Sequence, residues 1–255
     1  MSNYQNNNFL SAIPPVTRNI LIINFIVWLA CFVLGRTYFD LSEIFGLHFP
    51  TARGSYLFQI ITYMFTHVAF SHFFFNMLAV FMFGGSLENI WGPKKYLTYY
   101  MVTGIGAGLV QLLVCYLRIK SMTEGLPEGV LDIIRTDGFD LLQKSMNYSD
   151  PKMGELNLMF NTVTIGASGA VFGVLLAFGM LFPNAPIYMM FIPIPIKAKY
   201  FVVGYGLIEL YLGVANRSGD NVAHFAHLGG MIFGILLILY WRNKDKKNGY
   251  YYQQH

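Results

Sequence analysis

Gly166-Ala167-Ser168-Gly169-Ala170-Val171-Phe172-Gly173 sets a serine among small residues near the start of an apolar segment that runs to about Leu181. Two readings compete for it. Small residues let two transmembrane helices approach closely, and serines in such motifs commonly do no more than that. A hydroxyl inside a bilayer but close to one face could instead carry chemistry. A motif this short does not choose between them, so the decision falls to the rest of the chain.

Composition places the chain in a membrane. Hydrophobic residues make up 55% of the sequence and charged residues only 12%, about half the charged share of an average soluble domain. The formal net charge of +4 comes from short basic clusters beside apolar spans, so it does not point to a nucleic-acid partner. Cys31 and Cys115 both fall inside expected spans and read as packing residues; neither a disulfide framework nor a zinc site is expected.

Residues 1–18 form a polar, Asn-rich tail with no apolar core and small-residue cleavage site, so no removable signal peptide is expected. About 20 apolar residues cross the hydrocarbon. Six segments qualify, at approximately 19–36, 65–87, 96–117, 161–182, 199–215 and 222–241, with a tail from 242 to 255. Pro183 and Pro186 close the fourth, and Pro193-Ile194-Pro195 disfavours a helical start before Lys197. Six spans put both termini on one side. That side carries Arg18, Lys94, Lys95, Lys197, Lys199, Arg242, Lys244, Lys246 and Lys247, against mixed or acidic loops opposite. The positive-inside rule makes it cytoplasmic, and the expected location is a bacterial cytoplasmic membrane. The outer loop 37–64 is too aromatic for water alone and is expected to dip into the interface, protected by protein. The 118–160 insert suits an interfacial amphipathic helix or a solvated linker, with no chemistry attached.

Polar groups inside spans are expensive and therefore informative. The second span carries His67, His72 and Asn76, the fourth Ser168, and the sixth His224 and His227. The second, fourth and sixth spans all run inward, and His72, Ser168 and His227 each fall roughly 10 Å below the outer boundary at 1.5 Å of rise per residue. His72 and Asn76, four apart, share a helix face. A hydroxyl, an imidazole and further donors in one layer suit nucleophilic acyl transfer. The imidazole activates the weak serine nucleophile, while a His N–H, an Asn amide and a backbone N–H receive the oxyanion. With no carboxylate expected at this depth, the arrangement is a Ser-His dyad rather than a triad, and Phe172, four residues after the serine, is placed to orient the imidazole by packing. Glu209 in the fifth span is left unplaced.

These motifs resemble the rhomboid family of intramembrane serine proteases. The likeness is carried by Gly166-Ala167-Ser168-Gly169, by Ala226-His227-Leu228-Gly229-Gly230 with Gly234, and by His72-Phe73-Phe74-Phe75-Asn76, in that family's order across the spans. It implies an all-α polytopic membrane protein: a six-transmembrane-helix bundle over 19–241 with a membrane-dipping outer loop. It also implies an endopeptidase acting on transmembrane protein substrates among membrane lipids, without cofactor or metal. Carried over, Ser168 is the nucleophile and His227 the base and later acid, with His72, Asn76 and the Ser168 amide forming the oxyanion site. Gly230 and Gly234 pack the sixth helix against Gly169 and Gly173 of the fourth. His224 reads as supporting or interfacial, His67 as lying at the membrane boundary, and Glu88 as the buried glutamate that ties a helix end to neighbouring backbone. Phe58-Gln59 stands where the family commonly has Trp-Arg, which leaves the anchoring of the outer loop open.

Other classes fit less well. An inactive binding relative would lose Ser168 or His227. A proton-moving transporter would want a chain of intramembrane acids, and a metalloprotease an H-E-x-x-H motif. No aspartate lies in a span to support an aspartyl protease.

Overall fold

The computed structural model describes residues 12–35, 40–189, 192–215 and 223–247; the expected 216–221 turn and the outer parts of both tails lie outside them. α1 (Pro15–Leu34) opens with a proline at its first position, where a missing N–H leaves nothing unpaired. The outer loop contains α2 (Leu41–Phe45), capped by the Asp40 carboxylate on the Ser42 amide, and α3 (Gln59–Thr62). α4 (Phe70–Ala79) continues through a π-helical turn at Val80–Gly84 into α5 (Gly85–Trp91). Gly92, at φ 77°, breaks the chain before α6 (Pro93–Thr123). Then come α7 (Val130–Gln143), α8 (Pro151–Asn161), α9 (Ser168–Leu181), the antiparallel hairpin β1 (Pro186–Met189) and β2 (Ile192–Lys197), α10 (Ala198–Ala215) and α11 (His224–Lys247).

The protein is an all-α polytopic membrane protein apart from that hairpin. Among the described residues, five stretches are long and apolar enough to cross a bilayer: α1, the continuous α4–α5, α6, α10 and α11. Ile22, Phe25 and Ile26 of α1 and Val203, Leu207 and Tyr211 of α10 are exposed, an apolar surface that lipid accommodates and water would not.

The fourth expected span differs. Instead of one helix over 161–182, α8 ends at Asn161, residues 162–167 are non-helical, and α9 has only 14 residues. Fourteen residues rise about 21 Å, well short of a hydrocarbon core of about 30 Å, so the first turn of α9 is internal to the bundle. Ten of its residues are buried, as expected of a helix apolar all round. α6 and α11 flank it, and the Tyr99 hydroxyl of α6 donates to the Gly173 carbonyl at 2.8 Å. The other departure is at the end, where α11 continues through Lys247 past the expected boundary at 241.

The segment leading into Ser168 is held by the outer loop. Leu47 and Thr164 exchange backbone hydrogen bonds at 2.9 and 3.0 Å, and the Gly166 amide donates to the Tyr63 carbonyl at 2.9 Å. Gln59 anchors the loop itself. It is fully buried, its Nε2 donates to the carbonyls of Ile44 (3.1 Å) and Gly54 (2.8 Å), and its Oε1 accepts from the Tyr56 amide at 3.1 Å. One amide side chain thus answers the question that Phe58-Gln59 raised. Tyr56, Leu57 and Phe58 remain exposed, as suits a loop dipping into a membrane interface.

The 118–160 insert is more than a linker. α7 and α8 pack together, with Ile134 and Leu156 fully buried in a small core shared with Phe49, Ile119 and Phe160. Glu88 behaves as expected: its carboxylate caps α1, accepting from the Val16 amide (2.9 Å), the Thr17 amide (2.7 Å) and the Thr17 hydroxyl (2.8 Å). A buried charged acceptor of three hydrogen bonds is costly to weaken. Glu88→Gln is expected to lower stability by about 2–3 kcal/mol, read as an earlier thermal unfolding midpoint in detergent.

Candidate active site

Ser168 is the first residue of α9. Gly166, at φ 116°, turns the extended chain into it. A Cβ at Gly166 would also run into the His72 ring, so a glycine is required twice over, by backbone angle and by close approach. The amides of the first turn of α9 have no partners within the helix and lie at its positive end, which favours negative charge beside Ser168.

α11 crosses α9 at Gly230. A Cβ there would overlap the Gly169 carbonyl, so the two helices touch backbone to backbone. That approach brings the His227 imidazole to Ser168, with Nε2 2.8 Å from the hydroxyl oxygen. The Phe172 ring stacks on His227, centroids 4.2 Å apart and planes 7° from parallel, as the sequence spacing anticipates. Two glycines do not pack as expected. Gly173 faces Thr103 of α6, and Gly234 lies against the Tyr99 hydroxyl and Leu176 rather than Gly173.

His72 and Asn76 line the same cavity as Ser168, Gly166, Gly169, Phe172 and His227, a cleft of about 1390 Å³. The Asn76 amide donates one N–H to the His72 carbonyl at 2.9 Å, leaving its second N–H for a ligand. Tyr148, Glu155, Leu158 and Met159 of the insert form another wall, so 118–160 borders the site that the sequence did not connect it to.

His67 and a carboxylate need correction, and of the two readings of His224 the supporting one fits. His67 is not at a boundary: it is fully buried, and its Nε2 accepts the Ala167 amide at 3.2 Å, steadying the residue before the serine. His224 is buried rather than interfacial. The expectation that no carboxylate reaches this layer is overturned by Glu209 of α10. Its Oε2 lies 2.8 Å from Nδ1 of His227 and 2.6 Å from Nδ1 of His224, with all three side chains buried. The reason is geometric. The shared depth of Ser168, His227 and His72 belongs to helices entering from one side, whereas α10 enters from the other, and eleven residues of rise carry Glu209 about 16 Å from Ala198. One ring nitrogen from each histidine and a Glu209 oxygen lie within 4.8 Å of one another, a set able to hold a metal ion. Chemically, the hydroxyl–imidazole pair can pass a proton, and the open cleft can admit both a peptide and water.

The family model for the rhomboid domain matches residues 54–131 and 138–244. The chain belongs to the rhomboid family. Among curated relatives, it is 27% identical over 188 residues to "RHOMBOID-like protein 12, mitochondrial" of Arabidopsis thaliana, covering 73% of this chain and 47% of that one. It is 29% identical over 178 residues to "Rhomboid protein 1, mitochondrial" of Saccharomyces cerevisiae, covering 70% and 40%. With "Rhomboid protease AarA" of Providencia stuartii it shares 28% over 184 residues, covering 68% and 52%. This rhomboid chain thus spans about half the length of the curated relatives it matches.

The glycine contact gives a graded test. Gly230→Ala must push backbone against backbone and is expected to destabilise by about 1–3 kcal/mol. Gly234→Ala displaces only the end of the Tyr99 and Leu176 side chains and is expected to be milder. Thermal unfolding of the two variants in one detergent checks the order.

Proposed function

We propose that the protein is an intramembrane serine endopeptidase that hydrolyses peptide bonds in or near the transmembrane segments of other membrane proteins. The observation that carries this reading is the 2.8 Å approach of Ser168 Oγ to His227 Nε2 at the start of α9, in a cleft open to substrate. Ser168 attacks the scissile carbonyl as His227 takes its proton; the imidazole later returns that proton to the leaving amine. The oxyanion is received by His72, Asn76 and the Ser168 amide at the positive end of α9. Phe172 fixes the imidazole plane, and Gly166, Gly169, Gly230 and Gly234 allow the close packing. Water then enters from the cleft to release the acyl-enzyme.

The protease unit proposed is 19–241 with 118–160 as an extracytoplasmic insert, flanked by cytoplasmic tails at 1–18 and 242–255. The basic clusters beside Arg18, Lys94, Lys197 and Arg242 support that orientation in a bacterial cytoplasmic membrane. The names of two matched relatives are mitochondrial, and one matched relative is the bacterial AarA. Substrate helices would reach the cleft from lipid beside α10, and no cofactor takes part.

Cleavage of a transmembrane reporter in detergent tests the proposal. Wild type is expected to cleave it and to label at Ser168 with a fluorophosphonate, while Ser168→Ala and His227→Ala lose cleavage by about 10³-fold or more. Equal cleavage by all three proteins would sink the reading.

A further inference from the structure

We infer that Glu209 is a positioning residue for the His227 base, so that the dyad is completed by a carboxylate inside the membrane, with His224 as a second imidazole on the same oxygen. The inference rests on the roles just proposed for Ser168 and His227, and goes beyond the dyad expected from sequence.

The argument begins with hydrogen-bond chemistry. A carboxylate oxygen only accepts. With Glu209 Oε2 2.8 Å from Nδ1 of His227, the imidazole carries its hydrogen on Nδ1 and leaves the Nε2 lone pair facing Ser168 Oγ at 2.8 Å. That is the tautomer a general base needs. The opposite one would donate from Nε2 to the hydroxyl and could take no proton from it. Phe172 fixes the plane of the ring, but stacking does not distinguish the two nitrogens. Glu209 does.

Charge development points the same way. As the serine proton passes to Nε2, the oxygen–carbon bond forms and the carbonyl π pair becomes the oxyanion, leaving His227 an imidazolium with hydrogens on both nitrogens. The proton then moves to the amine nitrogen as the C–N bond breaks. The Glu209 carboxylate faces the imidazolium throughout, in a buried site where an ion pair is stronger than in water.

His224 explains why the carboxylate stays aimed. Its Nδ1 lies 2.6 Å from the same Oε2, and it sits one helical turn before His227 on α11. Two imidazoles on one helix therefore grip a single oxygen from the neighbouring helix. The other titratable or charged groups near the trio are His72 of α4 across the cleft, Tyr205 of α10 against Phe172, and Arg118 of α6, whose guanidinium donates to the Gly213 carbonyl of α10 at 2.7 Å. Of these, Tyr205 lies on the same helix as Glu209 and feels its charge, so the glutamine, which keeps the shape, is the variant of choice. Separations of 2.6 and 2.8 Å are hydrogen-bond lengths, which favours a shared acceptor over three ligands around a metal.

The test uses the full chain in detergent with a transmembrane reporter, comparing wild type, Glu209→Gln, Ser168→Ala and His227→Ala. The glutamine keeps the shape and removes the charge. Glu209→Gln is expected to lower kcat at least about tenfold with KM within twofold, a split that a merely structural change would not produce. A wild-type kcat in Glu209→Gln, while Ser168→Ala and His227→Ala are inactive, would overturn this inference and leave the protease reading standing. Full cleavage by Ser168→Ala or His227→Ala would fail that reading instead. Should the glutamine variant not fold, 15N-histidine spectra of the wild type decide: a neutral His227 with hydrogen on Nδ1 supports the inference, and hydrogen on Nε2 refutes it. Wild-type cleavage abolished by a chelator and restored by Zn²⁺ would also refute it, assigning the trio to a metal.

Discussion

A helix too short to cross the membrane organises this molecule. α9 begins at Ser168 and supplies about 21 Å of rise, so its positive end opens inside the bundle rather than at the surface. The chain must reach that point without helical hydrogen bonds of its own, and bare backbone within a bilayer is tolerated only where protein satisfies it. Leu47, Tyr63 and His67 do this for Thr164, Gly166 and Ala167. The outer loop thus has a structural duty as well as an interfacial one, and Gln59 inside it holds the loop that holds the segment. Loop, extended segment and serine form one chain of dependence.

Close approach is the second constraint. Helices in lipid gain little from burying apolar surface against one another and associate through packing and hydrogen bonds. Here α11 meets α9 through the contact of Gly230 with the Gly169 carbonyl, and α6 meets α9 through Tyr99 and the Gly173 carbonyl. The hydroxyl–imidazole distance follows from these contacts: a larger residue at Gly230 would move the whole of His227's helix. Packing and chemistry are therefore two consequences of one set of small residues, and the two readings of the Gly166–Gly173 stretch do not compete.

Much of this was legible in the sequence. Apolar spans, helix direction and the depth of Ser168, His227 and His72 were enough to converge on one cleft, and the four-residue offset of Phe172 was enough to stack it on His227. What escaped has a common cause. Periodicity and depth locate a residue along a helix and say little about rotation between helices. Glu209 needed both the opposite direction of α10 and its facing toward α11. His67 reads as superficial because it lies at the start of its expected span, and its burial comes from a segment a hundred residues later in the chain. The expected fourth span is too long because residues 162–167 are as apolar as a helix end; nothing in their composition records that their hydrogen bonds go to Leu47 and Tyr63. The resemblance implies that Gly230 and Gly234 pack against Gly169 and Gly173, whereas Gly173 and Gly234 each meet a side chain of α6.

The polar content of the bundle then has a single logic. A buried acceptor that lacks a donor is penalised more heavily than a made hydrogen bond is rewarded, so each acid retained inside must have several donors at once. Glu88 has three, all from the first turn of α1. Glu209 has two imidazoles, both from the first turn of α11. In both cases a carboxylate on one helix meets the beginning of another, where the backbone N–H groups are unpaired and the helix dipole is positive. The same field acts at Ser168, at the beginning of α9. Helix beginnings are where this membrane protein can keep negative charge, and they are where Glu88, Glu209 and the candidate oxyanion site are found.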